Sequence, residues 1–203
     1  MESDITAKIY DPALYFFVRP IRMAILKELL PYKDKSILDL CCGTGNQVKL
    51  LAKHGFTNLH CLDLSVPMLE IAKKSEYPVR IYNEDATQTH FDDESFDIIT
   101  ISFAIHEKDR ITQKNLINEI HRLLKREGIL LVVDFAFDER APKRSRIAIR
   151  FVEKLAGGEH YRNFKSYIQT NGLTGIIPSG KFALLKDIRN PYKAVSISLY
   201  RKS

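Results

Sequence analysis

The chain has 203 residues, a formal net charge of +6, and 45% apolar and 28% charged residues, which suits one well-buried globular domain. No apolar run approaches the ~20 residues that span a bilayer, and the acidic start Met1-Glu2-Ser3-Asp4 lacks the basic-then-apolar order of a signal peptide. Three cysteines, two of them adjacent, make neither a disulfide framework nor a zinc set, so the expectation is a cytoplasmic protein with reduced thiols.

Tyr10-Asp11-Pro12 reads as a turn or a helix start, and apolar residues from Leu14 to Leu29 then recur at helical period. Pro20 is expected to break or kink that helix. The segment reads as packing or as a lid, with Tyr10, Tyr15, Phe16 and Arg19 as candidate contacts. Ser36 to Leu40 is a short apolar run interrupted by Asp39, the pattern of a buried strand. Cys41-Cys42-Gly43-Thr44-Gly45 follows, and a helical pattern starts at Asn46 and stops near Gly55. Strand, small-residue turn and helix is the geometry that holds a nucleotide-like ligand at a helix N-terminus.

Leu59 to Asp63 is the second strand, and Asp63 lies 18 residues past Gly45. An acid about 20 residues beyond a glycine turn can accept hydrogen bonds from both hydroxyls of a ribose. Ser65 and Pro67 open the next helix, and Pro78 to Tyr82 is a third strand with Asp85 just past it. Phe96 to Ser102 is strongly β-prone, and Phe103-Ala104-Ile105-His106-Glu107 follows its C-terminal end. A helix from Ile111 to Leu124 stops at Gly128, and a fifth strand runs from Ile129 to Val133, ending at Asp134.

The alternation of five strands with helices argues for a parallel sheet with helices on both faces, and Asp39, Asp63, Asp85 and Asp134 all fall at the strands' C-terminal ends, where open α/β sheets bind ligands. Arg140 to Lys154 reads as a basic helix whose apolar side is Ile147, Ala148, Ile149, Phe151, Val152 and Leu155. Gly157 to His160 breaks it, a helix covers Tyr161 to Thr170, and 182–187 and 194–200 read as an antiparallel pair. The expected fold is therefore a Rossmann-like α/β domain over 1–203, its seven-stranded sheet mostly parallel with the last strand pair antiparallel. Its parts are a helical lid segment (1–35), a ligand-binding core (36–137) and a tail of two helices and two strands (138–203).

Several motifs in order resemble those of class I S-adenosylmethionine-dependent methyltransferases, in particular the small-molecule branch that includes quinone-biosynthesis C-methyltransferases. They are Ile37 to Asn46, Leu62-Asp63-Leu64-Ser65 with Met68-Leu69, Asn83-Glu84-Asp85-Ala86, Phe96 to Ser102, and Leu123 to Gly128 before the fifth strand. The resemblance implies S-adenosylmethionine as cofactor and S-adenosylhomocysteine as product. Asp39 and the backbone of Cys41, Gly43, Thr44 and Gly45 would position the methionine part, and Asp63 would hold the ribose. Leu64 and Met68 would flank the adenine, Asp85 would accept from its amino group beside Ala86, and Ser102 and Phe103 would line the methyl-donor side. Cys41 stands where the family often has glycine.

Tyr10, Tyr15, Arg19, His106, Glu107, Asp134, His160 and Tyr161 are the candidate acceptor-binding residues, and His106 is the candidate general base because an ordinary imidazole pKa suits proton transfer near neutrality. No His-x-x-x-His pair argues for a metal, and none is expected. The sequence lacks an Asn-Pro-Pro-Tyr motif, a Pro-Cys pair and an added RNA-binding module, which leaves a small-molecule acceptor and disfavours nucleic acid. Alternative readings are an RNA or phospholipid-headgroup methyltransferase using Arg140 to Lys154 against phosphate, and a non-catalytic S-adenosylmethionine binder. Contact with an anionic membrane surface stays open, as does the oligomeric state.

Overall fold

A computed structural model describes residues 4–189 and 194–203, with side chains from Phe17 onward. Helix α1 (Asp4–Leu29) leads into a 3-10 turn at Leu30–Tyr32. Then come β1 (Ile37–Leu40), α2 (Asn46–Lys53), β2 (Leu59–Asp63), α3 (Val66–Ala72), β3 (Arg80–Asn83), β4 (Phe96–Ser102), α4 (Arg110–Leu123) and β5 (Leu124–Phe135). Helices α5 (Lys143–Leu155) and α6 (Gly158–Gln169) precede β6 (Phe182–Arg189) and β7 (Val195–Lys202).

The strands form one sheet in the order β3-β2-β1-β4-β5-β7-β6. The pairs from β3 to β5 are parallel, and β7 runs antiparallel to both β5 and β6. Strand order reverses at β1, whose successors proceed outward through β2 and β3 on one side and through β4 and β5 on the other. Right-handed crossovers in opposite directions place helices on opposite faces, and the crevice opens where the directions part, beyond the ends of β1 and β4. All four residues of β1 are buried, because the strand is paired on both edges and covered on both faces. Truncating a side chain such as Leu38, which is fully buried, removes roughly 2–5 kcal/mol. This rigid central strand holds the ligand-facing loops.

Several elements differ from the sequence expectation. Helix α1 is continuous through both Pro12 and Pro20. One missing backbone bond at Pro20 is outweighed by the burial of Ile21, Ile25, Leu26 and Leu29 in the main core. The helix also packs on α2 and α3, and near its C-terminal end Glu28 pairs with Lys186 of β6 at 2.8 Å. Residues 124–128 belong to β5, not to a helix end, because Leu124 pairs with Phe96 and its carbonyl accepts from the Lys202 ammonium at 2.6 Å. Strand β3 begins at Arg80, and α6 begins at Gly158, so His160 sits in that helix's first turn.

The apolar side expected to bury α5 faces outward. Ile147, Phe151, Val152 and Leu155 are exposed, while Glu153 is buried and Ile149 half-buried. The thiol expectation is also corrected, since Cys42 and Cys61 are joined as a disulfide and Cys41 is free. Parallel pairing of β1 with β2 brings the loop after β1 over β2, leaving the two Cα atoms 5.7 Å apart, a contact that separation along the chain does not reveal.

Candidate active site

The loop 41–45 joins β1 to α2 and is held by backbone bonds: Cys42 N–H donates to Leu62 O at 3.1 Å, and Gly45 N–H to Cys42 O at 3.0 Å. Gly45 caps α2 at φ +69°, and a Cβ there would lie 3.1 Å from that of Ala72, so only glycine allows the loop this close to α3. Cys41 adopts φ +56° although it is not glycine, and Phe103, just past the adjacent β4, adopts φ +54°. Two side-chain-bearing residues in the left-handed region flank the crevice, and strain of this kind is sustained where the surroundings hold it in place.

Asp63, the last residue of β2, accepts from Gly43 N–H at 2.7 Å through Oδ2 and from Ser65 N–H at 2.9 Å through Oδ1. It thus sets the loop and the start of α3 together, and each oxygen keeps a second lone pair for a ligand. Leu64 is 68% exposed beside it and Met68 is half-buried, an uncovered apolar edge on which a flat ring can lie. Asp85 is exposed past β3, with Oδ1 accepting from the backbone and hydroxyl of Thr87, and Ala86 is buried beside it. Ser102 ends β4 next to Cys41, and its Oγ is shut from solvent with no partner among the described residues. The Gln47 amide on the first turn of α2 is likewise buried and unpartnered.

Asp39 differs from the other rim acids. Its side chain is buried and accepts from Thr100 Oγ1 at 2.6 Å. Burial pushes its pKa up to about 7, opposed by the Thr100 bond, with Asp63 raising it further and Arg22 of α1 lowering it. It braces β1 against β4. Burial, with Asp63 adding, likewise pushes the Cys41 thiol up to about 12, so it stays protonated.

A second group of side chains meets beyond β4 and β5. Asp134, fully buried, accepts from His106 Nδ1 at 2.7 Å and from its backbone N–H at 3.2 Å. His106 Nε2 lies 3.5 Å from Glu153 Oε2 on α5, and His160 Nε2 lies 2.5 Å from the same oxygen. Glu107 Oε2 is 3.7 Å from His160 Nδ1. Burial alone would lower the His106 pKa, but the Asp134 and Glu153 carboxylates outweigh it and hold it up at about 10. This corrects the ground for the base assignment, because an imidazole protonated at neutral pH donates a proton and does not accept one.

Tyr161 is half-buried and stacks on the buried Phe164, whose ring in turn meets His106 edge-on. Arg19 is exposed on α1, and Tyr10 and Tyr15 lie outside the residues whose side chains are described. Sequence reasoning missed Glu153, which the charge pattern hid in a basic helix, and Lys108. Burial lowers the Lys108 pKa, but Glu107 beside it outweighs that and, with Asp63, holds the ammonium above its ordinary range.

The chain resembles known proteins in this region. A family model described as "Methyltransferase domain" matches residues 37–128, the stretch from β1 into β5 that carries the loop, Asp63, Asp85 and Ser102. Residues 37–128 thus resemble a methyltransferase domain. Relatives named demethylmenaquinone methyltransferase include one from Clavibacter sepedonicus, 32% identical over 118 residues that cover 57% of this chain and 47% of that protein. Another, from Leptospira interrogans, is 38% identical over 106 residues, covering 48% and 42%. The chain thus matches less than half the length of either relative. Among solved structures, a Pyrococcus horikoshii protein superposes with TM-score 0.71 at 18% identity, covering 93% of this chain and 91% of that one. An S-adenosylmethionine-dependent methyltransferase from Mesorhizobium loti gives 0.63 at 21% identity, covering 88% and 96%. At these identities the structural likeness speaks for the methyltransferase fold.

The crevice fits S-adenosylmethionine on its own terms. Ser102 Oγ is an orphaned polar atom beside the loop, Asp63 has acceptor capacity left, and Leu64 offers bare apolar surface. No helix among the described residues is long and apolar enough to cross a membrane.

Proposed function

We propose that the chain methylates a small, lipid-soluble aromatic acceptor with S-adenosylmethionine, in the crevice between the ends of β1 and β4. The observation that carries this reading is the rim itself, where Asp63, the strained loop and the unpartnered Ser102 hydroxyl converge at the reversal of strand order. When bound there, S-adenosylmethionine supplies a methyl group on a sulfonium, an electrophile that loses its positive charge on transfer. The chain's part is mainly alignment. Asp63 and the backbone of 43–45 would hold the ribose and methionine ends, Leu64 and Met68 the adenine, and Ser102 and Phe103 the donor side. Asp39 keeps β1 and β4 in register beneath them.

Two observations support the acceptor class. Relatives named for demethylmenaquinone act on an apolar ring compound by name. Helix α5 carries outward-facing Ile147, Phe151, Val152 and Leu155 among exposed Lys143, Arg144, Arg150 and Lys154, a composition that lies down on an anionic bilayer surface and favours an acceptor drawn from it.

The test is transfer of radiolabelled methyl from S-adenosylmethionine into separate metabolite, lipid-extract and RNA pools, with and without anionic vesicles. Label in a lipid-extractable ring compound, increased by vesicles, is the expected result. Label in RNA, or cofactor binding with transfer to no pool, contradicts the reading.

A further inference from the structure

We propose that His106, Glu153 and His160 form a binding site for a divalent transition-metal cation. The three residues come from three elements: the loop after β4, the buried side of α5 and the first turn of α6. One ligand atom from each of the three residues lies within 4.8 Å of the other two, and Glu153 Oε2 faces both His106 Nε2, at 3.5 Å, and His160 Nε2, at 2.5 Å. Ligand atoms around a tetrahedral zinc stand roughly 3.3 Å apart, given bond lengths of about 2.0–2.1 Å. The cluster therefore needs only side-chain adjustments of about 1–2 Å to close on an ion.

The surroundings have the form that metal-bound histidines require. Each imidazole presents Nε2 to Glu153; behind it, His106 Nδ1 is hydrogen-bonded to Asp134 at 2.7 Å, while the Glu107 carboxylate stands 3.7 Å from His160 Nδ1, beyond direct hydrogen-bond reach. A partner such as Asp134 fixes the ring orientation and raises the basicity of the ligand nitrogen. His106, Glu153 and Asp134 are buried, and His160 is partly exposed, which leaves the ion a way in. Two nitrogens and one carboxylate oxygen suit zinc, iron(II) or manganese(II) and not the all-oxygen preference of magnesium or calcium. Three protein ligands leave at least one position for water or for an oxygen of a small molecule. The site is not legible as a motif along the chain, because α4, β5 and most of α5 lie between His106 and the Glu153–His160 pair, and only the tail's fold brings them together.

A carboxylate oxygen facing two imidazole nitrogens is satisfied by two protons or by one cation, and metal titration separates the two. Tag-free protein, stripped by dialysis against a chelator, is titrated with zinc chloride by calorimetry. The expected result is one zinc per chain, bound at least tenfold more weakly by both Glu153→Gln and His160→Ala, and about tenfold more weakly by Asp134→Asn. Circular dichroism and thermal melting of the stripped variants establish that each is folded, and Glu153→Gln keeps the size of the original side chain should His160→Ala melt early. No saturable zinc uptake by the unaltered chain, or uptake that both ligand substitutions leave undiminished, overturns the site. The outcome is independent of methyl transfer, since neither the probe nor the readout involves the cofactor.

Discussion

Ser102 carries a buried hydroxyl that nothing among the described residues satisfies, and such a group costs about 1–3 kcal/mol in the ligand-free protein. Ser102→Ala is therefore expected to leave the melting temperature unchanged or raise it, while weakening S-adenosylhomocysteine binding by about 0.5–1.5 kcal/mol in calorimetry. A destabilised variant with unaltered affinity would place the hydroxyl's partner inside the protein. Asp39 gives a pH-dependent test. Its pKa is 3.8 in the unfolded reference and about 7 when folded, so between those values the unfolded chain holds fewer protons. Stability contributed at this site falls as pH rises from 3.8 to 7 and stays at its lower level above. Asp39→Asn keeps an acceptor for Thr100 and removes the charge. The variant should match the unaltered protein in urea unfolding at pH 4 and exceed it at pH 8, by ~4 kcal/mol at most at 1.36 kcal/mol per tenfold. Equal stability at pH 8 would mean that Asp39 ionises freely when folded. The four rim acids were legible as a set from their places after apolar runs, but their separate duties were not. Whether an aspartate braces a neighbouring strand, as Asp39 does with Thr100, or caps its own turn, as Asp85 does with Thr87, depends on partners 61 or 2 residues away.

Among the elements, α5 departs furthest from its sequence reading. Periodicity correctly gave an amphipathic helix, yet it could not say which side meets the protein. In a helix rich in charge the buried position went to Glu153, because two histidines wait there to receive it. The outward apolar stripe flanked by Arg144 and Arg150 makes a prediction at this scale. Replacing both arginines by glutamate should abolish most sedimentation with phosphatidylserine-containing vesicles, at about 1 kcal/mol per basic residue, without altering the melting temperature. Vesicle binding that persists in the double variant and ignores salt would remove the charge argument. Helix α1 was expected to yield at Pro20 and does not, because propensity is a weak term beside the burial of four large apolar side chains in the following turns. The boundary between α4 and β5 was misread for a related reason. Lys125 to Gly128 has a helix-ending composition, but pairing with β4 extends the strand back to Leu124.

At the scale of the whole molecule, the alternation of five strands with helices and the short connection between the last two were enough to anticipate a seven-stranded, mostly parallel sheet whose last strand pair is antiparallel, since right-handed crossovers leave few other arrangements. Spatial meetings between distant segments, such as the Cys42–Cys61 pair and the histidine cluster closed by the tail, were out of reach because they follow from register and helix rotation. The sheet order places the reversal at β1, and the account depends on that crevice being the seat of the cofactor. The most direct test is calorimetry of S-adenosylhomocysteine with the unaltered chain and with Asp63→Ala. The account predicts one site per chain, and affinity lower by roughly 1.5–3 kcal/mol in the folded variant, the scale of a hydrogen bond to a charged group. No binding by the unaltered chain, or equal binding by Asp63→Ala, would contradict it.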